Sequence, residues 1–294
     1  MPDAHKQGQP PVARPGGPAI AFALIISLDA VYVITGSPQT LALALTMVIA
    51  FAVGVYDDMR SLSGPVKVGM LFAASLPILL LHTYSPFPVF PFVGHLRLTV
   101  VYPLLVLVAV PVTANAFNMI DVYNGLVSGF TAIAVLPLLF AFLVQGDYVM
   151  ASAALALLLT MLGFYLLHRN PAKIFPGDSG SLALGATYGA LAIIGGMEVV
   201  AVVALLPAIL NAFFVISSVG GLVEHRQMKK RPVALNGQFK LEAVREPGAP
   251  VTLARMLLSD GPLGEAAVVR RFFVLEAFAS LLAVATFLLM GVRG

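Results

Sequence analysis

The chain has 294 residues, 59% of them hydrophobic and only 11% charged, with a formal net charge of +3 and a mean hydropathy of +0.95. Too little charge is available to cover a water-facing surface, which excludes an ordinary soluble domain. Cysteine is absent, so disulfides, iron–sulfur clusters and thiolate zinc sites are excluded as well.

Apolar blocks of roughly 16 to 21 residues recur along the chain, about the length a helix needs to cross the hydrocarbon layer. They are continuous rather than alternating, and open sheet edges are too costly in lipid, so the expected fold is an all-α polytopic membrane helical bundle. Met1–Gly17 is polar and rich in Pro and Gly, unlike a signal peptide. The predicted spans are 19–35, 39–56, 67–83, 98–113, 125–145, 148–167, 181–196, 198–218 and 272–291, about nine in all. Threading them alternately puts 1–18, 57–66, 114–124, 168–180 and 219–271 on one side. Of the 17 basic residues only Arg97 and Arg293 then fall opposite. By the positive-inside tendency the crowded side is cytoplasmic, and the whole chain reads as one membrane domain with a cytoplasmic loop region at 219–271.

The acidic residues Asp57, Asp58, Asp121 and Asp178 all sit at predicted cytoplasmic span ends, in three separate loops. Each alone reads equally well as a solvated loop charge. Together with Asn115, Asn118, Asn124 and Lys67 they suggest a shared polar site at the membrane surface. A transporter, which tends to hold its substrate near the bilayer midplane, is a poorer fit.

The first motif is Val55–Arg60, where the adjacent carboxylates Asp57 and Asp58 could bind a divalent metal or handle a proton, or form a solvated acidic cap. In the second, Asn118 and Asp121 share a face if the segment is helical, with Asn115 and Asn124 continuing the stripe. Such a stripe also suits interhelical hydrogen bonding; as ligands, these oxygens suit Mg²⁺ or Mn²⁺. In the third, Pro176-Gly177 signals a turn and Asp178–Ser181 opens a helix, leaving Asp178 equally open as a cap or as a ligand. The segment Glu224–Pro232 is either a lipid-facing basic patch or a partner for a diphosphate. Walker phosphate loops and HExxH metalloprotease motifs are absent.

In order and spacing, Asp57-Asp58, the run Asn115 to Asp121 with Asn118 inside it, and Phe175 to Ser181 around Asp178 resemble the membrane polyprenyl-phosphate N-acetylhexosamine-1-phosphate transferases. The resemblance implies a Mg²⁺-dependent enzyme (Mn²⁺ as an alternative) that transfers a sugar-1-phosphate from a UDP-N-acetylhexosamine to polyprenyl or dolichyl phosphate and releases UMP. It implies Asp178 as metal ligand, completed by Asn118 or Asp121. Asp57, Asp58, Lys67 and Asp121 become catalytic candidates, and Asn115, Asn124, His225 and Arg226 substrate contacts. The stretch around His225 and Arg226 looks more like archaeal and dolichol-pathway enzymes than like the muramoyl-pentapeptide branch, making N-acetylglucosamine the preferred sugar. Family members usually carry a further span ahead of the segment resembling Pro2–Lys6, and some have a third acidic residue after the aspartate pair, absent here. The expected setting is a multi-pass cell-membrane protein in contact with lipid, with its site facing the cytoplasm. No nucleic-acid partner is expected, and a homodimer is left open. The competing expectation is a transporter or flippase for a lipid-linked sugar.

Overall fold

The structure, a computed structural model, describes residues 11–221 and 230–291. Its helices are α1 (Gly17–Thr35), α2 (Pro38–Arg60), α3 (Gly64–Leu71), α4 (Leu76–Leu80), α5 (Tyr102–Ile120), α6 (Leu126–Ala134), α7 (Leu136–Gln145), α8 (Tyr148–His168), α9 (Gly177–Ile194), α10 (Glu198–Ala204), α11 (Leu206–Val219), α12 (Leu253–Leu257) and α13 (Glu265–Leu289). Two short antiparallel hairpins decorate this all-α bundle. One pairs β1 (Val89–Phe90) with β2 (Gly94–His95), and the other pairs β3 (Val233–Leu235) with β4 (Leu241–Ala243).

Among the described residues, six helical segments are long and apolar enough to cross a membrane: α1, α2, α5, the α6–α7 pair, α8 and α13. The α10–α11 pair, bent by 68°, adds a seventh. The 19 residues of α5 extend about 28 Å, close to the thickness of a hydrocarbon core. Large side chains such as Val33, Ile34, Leu80, Phe213 and Leu281 stand exposed on the outside, as a lipid-facing surface requires. The chain is a multi-spanning membrane bundle.

Three of the predicted spans take another form. The 67–83 segment is broken into α3, a 3-10 turn and α4, with Pro77 at the start of α4. The 198–218 segment bends where Pro207 opens α11. The 181–196 segment falls on α9 up to Ile194, and every residue of that helix except Asp178 is buried, so other helices rather than lipid surround it. The span predicted at 98–113 is also shifted: α5 continues to Ile120, so Asn115 and Asn118 are helical rather than in a loop.

Proline explains the broken helices, and serine keeps the breaks tolerable. A helical proline has no N–H for the carbonyl four residues back, and an unpaired carbonyl in an apolar interior is costly. Pro111 therefore strands Leu107 O, which accepts from Ser75 Oγ at 3.1 Å. Pro137 strands Ile133 O, which accepts from Ser280 Oγ of α13 at 3.2 Å. The adjacent Ala134 O accepts from the Tyr188 hydroxyl of α9 at 3.2 Å.

Helix α9 is the central element, packed against α1, α2 and α5. Small residues make this possible. A Cβ on Gly54 would lie 2.4 Å from Ser179 Cα, so only glycine lets α2 approach the start of α9 this closely. Helices α5 and α9 run antiparallel: Thr113 packs on Gly185 and Gly189, and at the far end the Tyr102 hydroxyl bonds to Glu198 and its ring stacks on Tyr84. The opposite end of the bundle gathers the start of α9 and the C-terminal ends of α2 and α5.

Candidate active site

At that end Pro176 precedes α9 and Gly177 has φ +74°, so the helix starts abruptly with amide donors that have no acceptor within the helix. These donors are capped from another helix. Asp58, two residues before the end of α2, accepts from Asp178 N–H at 3.1 Å through Oδ1 and from Ser179 N–H at 3.0 Å through Oδ2. A Cβ on Gly177 would lie 2.9 Å from Asp58 Oδ2, so glycine is required for this contact as well as for the positive φ. Because Asp58 supplies the cap, the Asp178 carboxylate is not consumed in capping its own helix.

That carboxylate is partly open, with 14% of its side chain exposed. Its Oδ1 accepts from Asn118 Nδ2 at 2.6 Å, and its Oδ2 from Arg14 Nη2 at 3.4 Å. Asn118 Nδ2 also donates to Ser181 Oγ at 2.9 Å, so Asn118 orients Asp178 across the α5–α9 interface. The Arg14 guanidinium reaches Asp58 Oδ1 at 3.0 Å, bridging the two aspartates. Asp121, just past α5, lies within electrostatic reach of this group. Burial pushes its carboxyl up to about 8; Asp178 adds to the rise, Arg14 opposes it, and Asp58 adds a smaller push. A cation added beside this carboxyl would oppose that rise.

The remaining sequence candidates separate from this cluster. Asp57 and Lys67 form a buried ion pair at 2.5 Å, with side chains 2% and 1% exposed, and Asp57 Oδ1 also accepts from Leu62 N–H at 2.7 Å. Asn115 donates to Met119 Sδ within its own helix at 3.3 Å. Asn124 is buried and its backbone N–H donates to Glu265 Oε1 at 2.8 Å, while Asn170 Nδ2 donates to Glu265 Oε2 at 2.7 Å. His225 and Arg226 lie outside the described residues.

Sequence reasoning missed Arg14, Ser181 and Glu265 as parts of this framework. Arg14 counted only toward the charge bias, although the Pro-Gly-Gly that follows it is a signal for a tight helix start. Ala13 bridges to Ile174, and Gly16 and Gly17 donate to the carbonyls of Phe175 and Pro176 at 2.6 and 2.8 Å, lashing the segment to the approach of α9.

The donor set is oxygen-rich and hard. Among the described residues no three His, Cys, Asp or Glu side chains gather into a closed metal cage. A Mg²⁺ site would not require such a cage, since that ion takes one or two carboxylates and fills its other positions with water and substrate phosphate. Asp178 and Asp121 fit that requirement, and Asn118 fits as the residue that holds Asp178 in place.

The fold and the site define a multi-spanning membrane helical bundle with an oxygen-rich polar cluster at one end. The chain belongs to glycosyl transferase family 4, whose sequence model matches residues 40–196 and so covers all three motifs. It is 25% identical over 276 residues to a protein of Methanocaldococcus jannaschii named as a glycosyltransferase, covering 94% of this chain and 84% of that one. It is 30% identical over 155 residues to a Sulfolobus acidocaldarius protein named as a UDP-N-acetylglucosamine–dolichyl-phosphate N-acetylglucosaminephosphotransferase (52% of this chain, 47% of that one). It is 32% identical over 208 residues to the phospho-N-acetylmuramoyl-pentapeptide-transferase of Moorella thermoacetica, at 64% of each chain. The chain thus spans about half to two thirds of the last two, and relatives from both expected branches match it.

Proposed function

We propose that this protein transfers a sugar-1-phosphate, with N-acetylglucosamine-1-phosphate the preferred group, from a UDP-sugar to a polyprenyl or dolichyl phosphate, releasing UMP. The observation that carries the reading is the convergence of Asp58, Asn118 and Asp178, from segments far apart in sequence, on the N-terminal end of a buried helix, of whose residues Asp178 alone is partly open. Family membership and the named activities of the relatives support it.

In this reading an oxygen of the lipid phosphate attacks the sugar-bearing phosphorus of the donor. The bond from that phosphorus to the bridging oxygen breaks, and UMP leaves. A lipid phosphate is already ionised near neutral pH, so no strong base is needed, and electrostatic stabilisation dominates. Asp178, oriented by Asn118, and Asp121 would hold Mg²⁺ (or Mn²⁺), which neutralises charge on the diphosphate when bound. Asp58 keeps the α9 amides in register with the site. Asp57 and Lys67 support the end of α2 as a pair. Asn115, Asn124, His225 and Arg226 remain candidate substrate contacts.

Purified protein in vesicles, given a UDP-N-acetylhexosamine, polyprenyl phosphate and Mg²⁺, is expected to yield equal amounts of UMP and lipid diphosphate sugar. Transport of labelled lipid-linked sugar with no UMP would replace this reading by a flippase.

The site is further proposed to face the cytoplasm. Single cysteines at Ser63, Lys173 and Gln238 are expected to resist an impermeant maleimide in intact cells, while one at Gly94 reacts. Equal labelling of all four from outside would overturn this orientation.

A further inference from the structure

The geometry points to Arg14 as a built-in stand-in for the divalent cation, one that turns to the donor's diphosphate when the metal takes its place. This inference rests on the proposed transfer reaction. Arg14 Nη2 lies 3.0 Å from Asp58 Oδ1 and 3.4 Å from Asp178 Oδ2. Asp178 Oδ1 accepts from Asn118 at 2.6 Å, so the less encumbered oxygen for an incoming cation is Oδ2, the one that faces Arg14 at 3.4 Å. Two positive groups on one carboxylate oxygen repel strongly in such a partly desolvated place.

The two aspartate contacts of the guanidinium differ in a way that sets the direction of movement. Asp58 is pinned, with both oxygens holding amides of α9. The Arg14 backbone is also held, since Ala13, Gly16 and Gly17 are tied to the segment leading into α9. Displacement therefore moves the side chain alone, off Asp178 and about its shorter contact with Asp58. A guanidinium carries five N–H donors in a planar fork, well matched to phosphate oxygens, and those released from Asp178 could turn to the donor's diphosphate. The same charge that keeps the two aspartates together before substrate arrives becomes a donor contact afterwards.

The test compares wild type, Arg14→Gln and Arg14→Lys in detergent, reading free Mn²⁺ by electron paramagnetic resonance without substrate, then UDP binding and donor kinetics. R14Q removes the competing charge and is expected to bind Mn²⁺ more tightly, by on the order of 10-fold, while losing about 10- to 150-fold in donor kcat/KM. R14K keeps the charge but not the fork, so its Mn²⁺ affinity is expected to stay near wild type while donor kcat/KM still falls. Should R14Q fail to fold, R14K carries the test through that separation of metal and donor effects. Unchanged or weaker Mn²⁺ binding by folded R14Q would overturn the stand-in role, and unchanged donor kinetics in R14K would overturn the phosphate role. Wild type that binds Mn²⁺ and UDP but releases no UMP would sink the transferase reading, leaving the Mn²⁺ comparison still decisive for Arg14.

Discussion

Asp178→Asn is expected to lower UMP release by on the order of 10²–10³-fold while leaving the protein folded. Asparagine keeps the shape of the side chain but removes the negative charge. The N–H groups of Asp178 and Ser179 remain capped by Asp58, because that cap is made to the backbone. Stability should thus change little, whereas Mn²⁺ affinity should fall along with turnover. In wild type a chelator should abolish turnover and added Mg²⁺ should restore it. Full activity in chelator would remove the metal from the mechanism, and retained turnover in the variant would move the metal site away from Asp178.

Breaking the Asp57–Lys67 pair is the second large effect, and it is expected on stability before chemistry. With both side chains buried, Lys67→Met leaves an uncompensated carboxylate in the interior, expected to cost about 3–5 kcal/mol. Thermal unfolding in detergent should fall by roughly 10 °C. Asp57→Asn should be similarly harmful, because it strands the Lys67 ammonium. Combining Asp57→Asn with Lys67→Met removes both charges, while the amide oxygen so introduced can still accept from Leu62 N–H, and this double variant should recover most of the loss. Turnover is expected to recover with it. A folded double variant without turnover would return both residues to direct catalytic roles.

Sequence and structure agree most closely where a span is long and strongly apolar, as in 125–145 and 148–167, which fall on the α6–α7 segment and α8. Agreement weakens where polar residues continue a helix. Asn115 and Asn118 look like loop residues in a linear reading, yet α5 runs through them because α9 supplies Asp178 and Ser181 as partners for Asn118. The 181–196 segment was readable as apolar but not as enclosed, since burial by other helices leaves no mark distinct from burial in lipid. Within the site, the spacing of each motif was legible and the division of labour was not. Neighbouring Asp57 and Asp58, about 100° apart around one helix end, turn to different partners, Lys67 and the α9 amides. The Arg14–Asp178 pair joins residues 164 positions apart, a distance that no local pattern encodes.

The serines that answer the proline breaks also key the bundle. Apolar packing tolerates rotation and sliding when lipid tails are as greasy as the helices. A hydrogen bond from Ser280 to Ile133 O does not. Advancing α13 by one residue would swing Ser280 about 100° around its axis, leaving the carbonyl above Pro137 bare in hydrocarbon. Helix α6 thereby reads the register of α13, and Glu265 at the base of that same helix carries the setting to the loops at Asn124 and Asn170 that flank the working end.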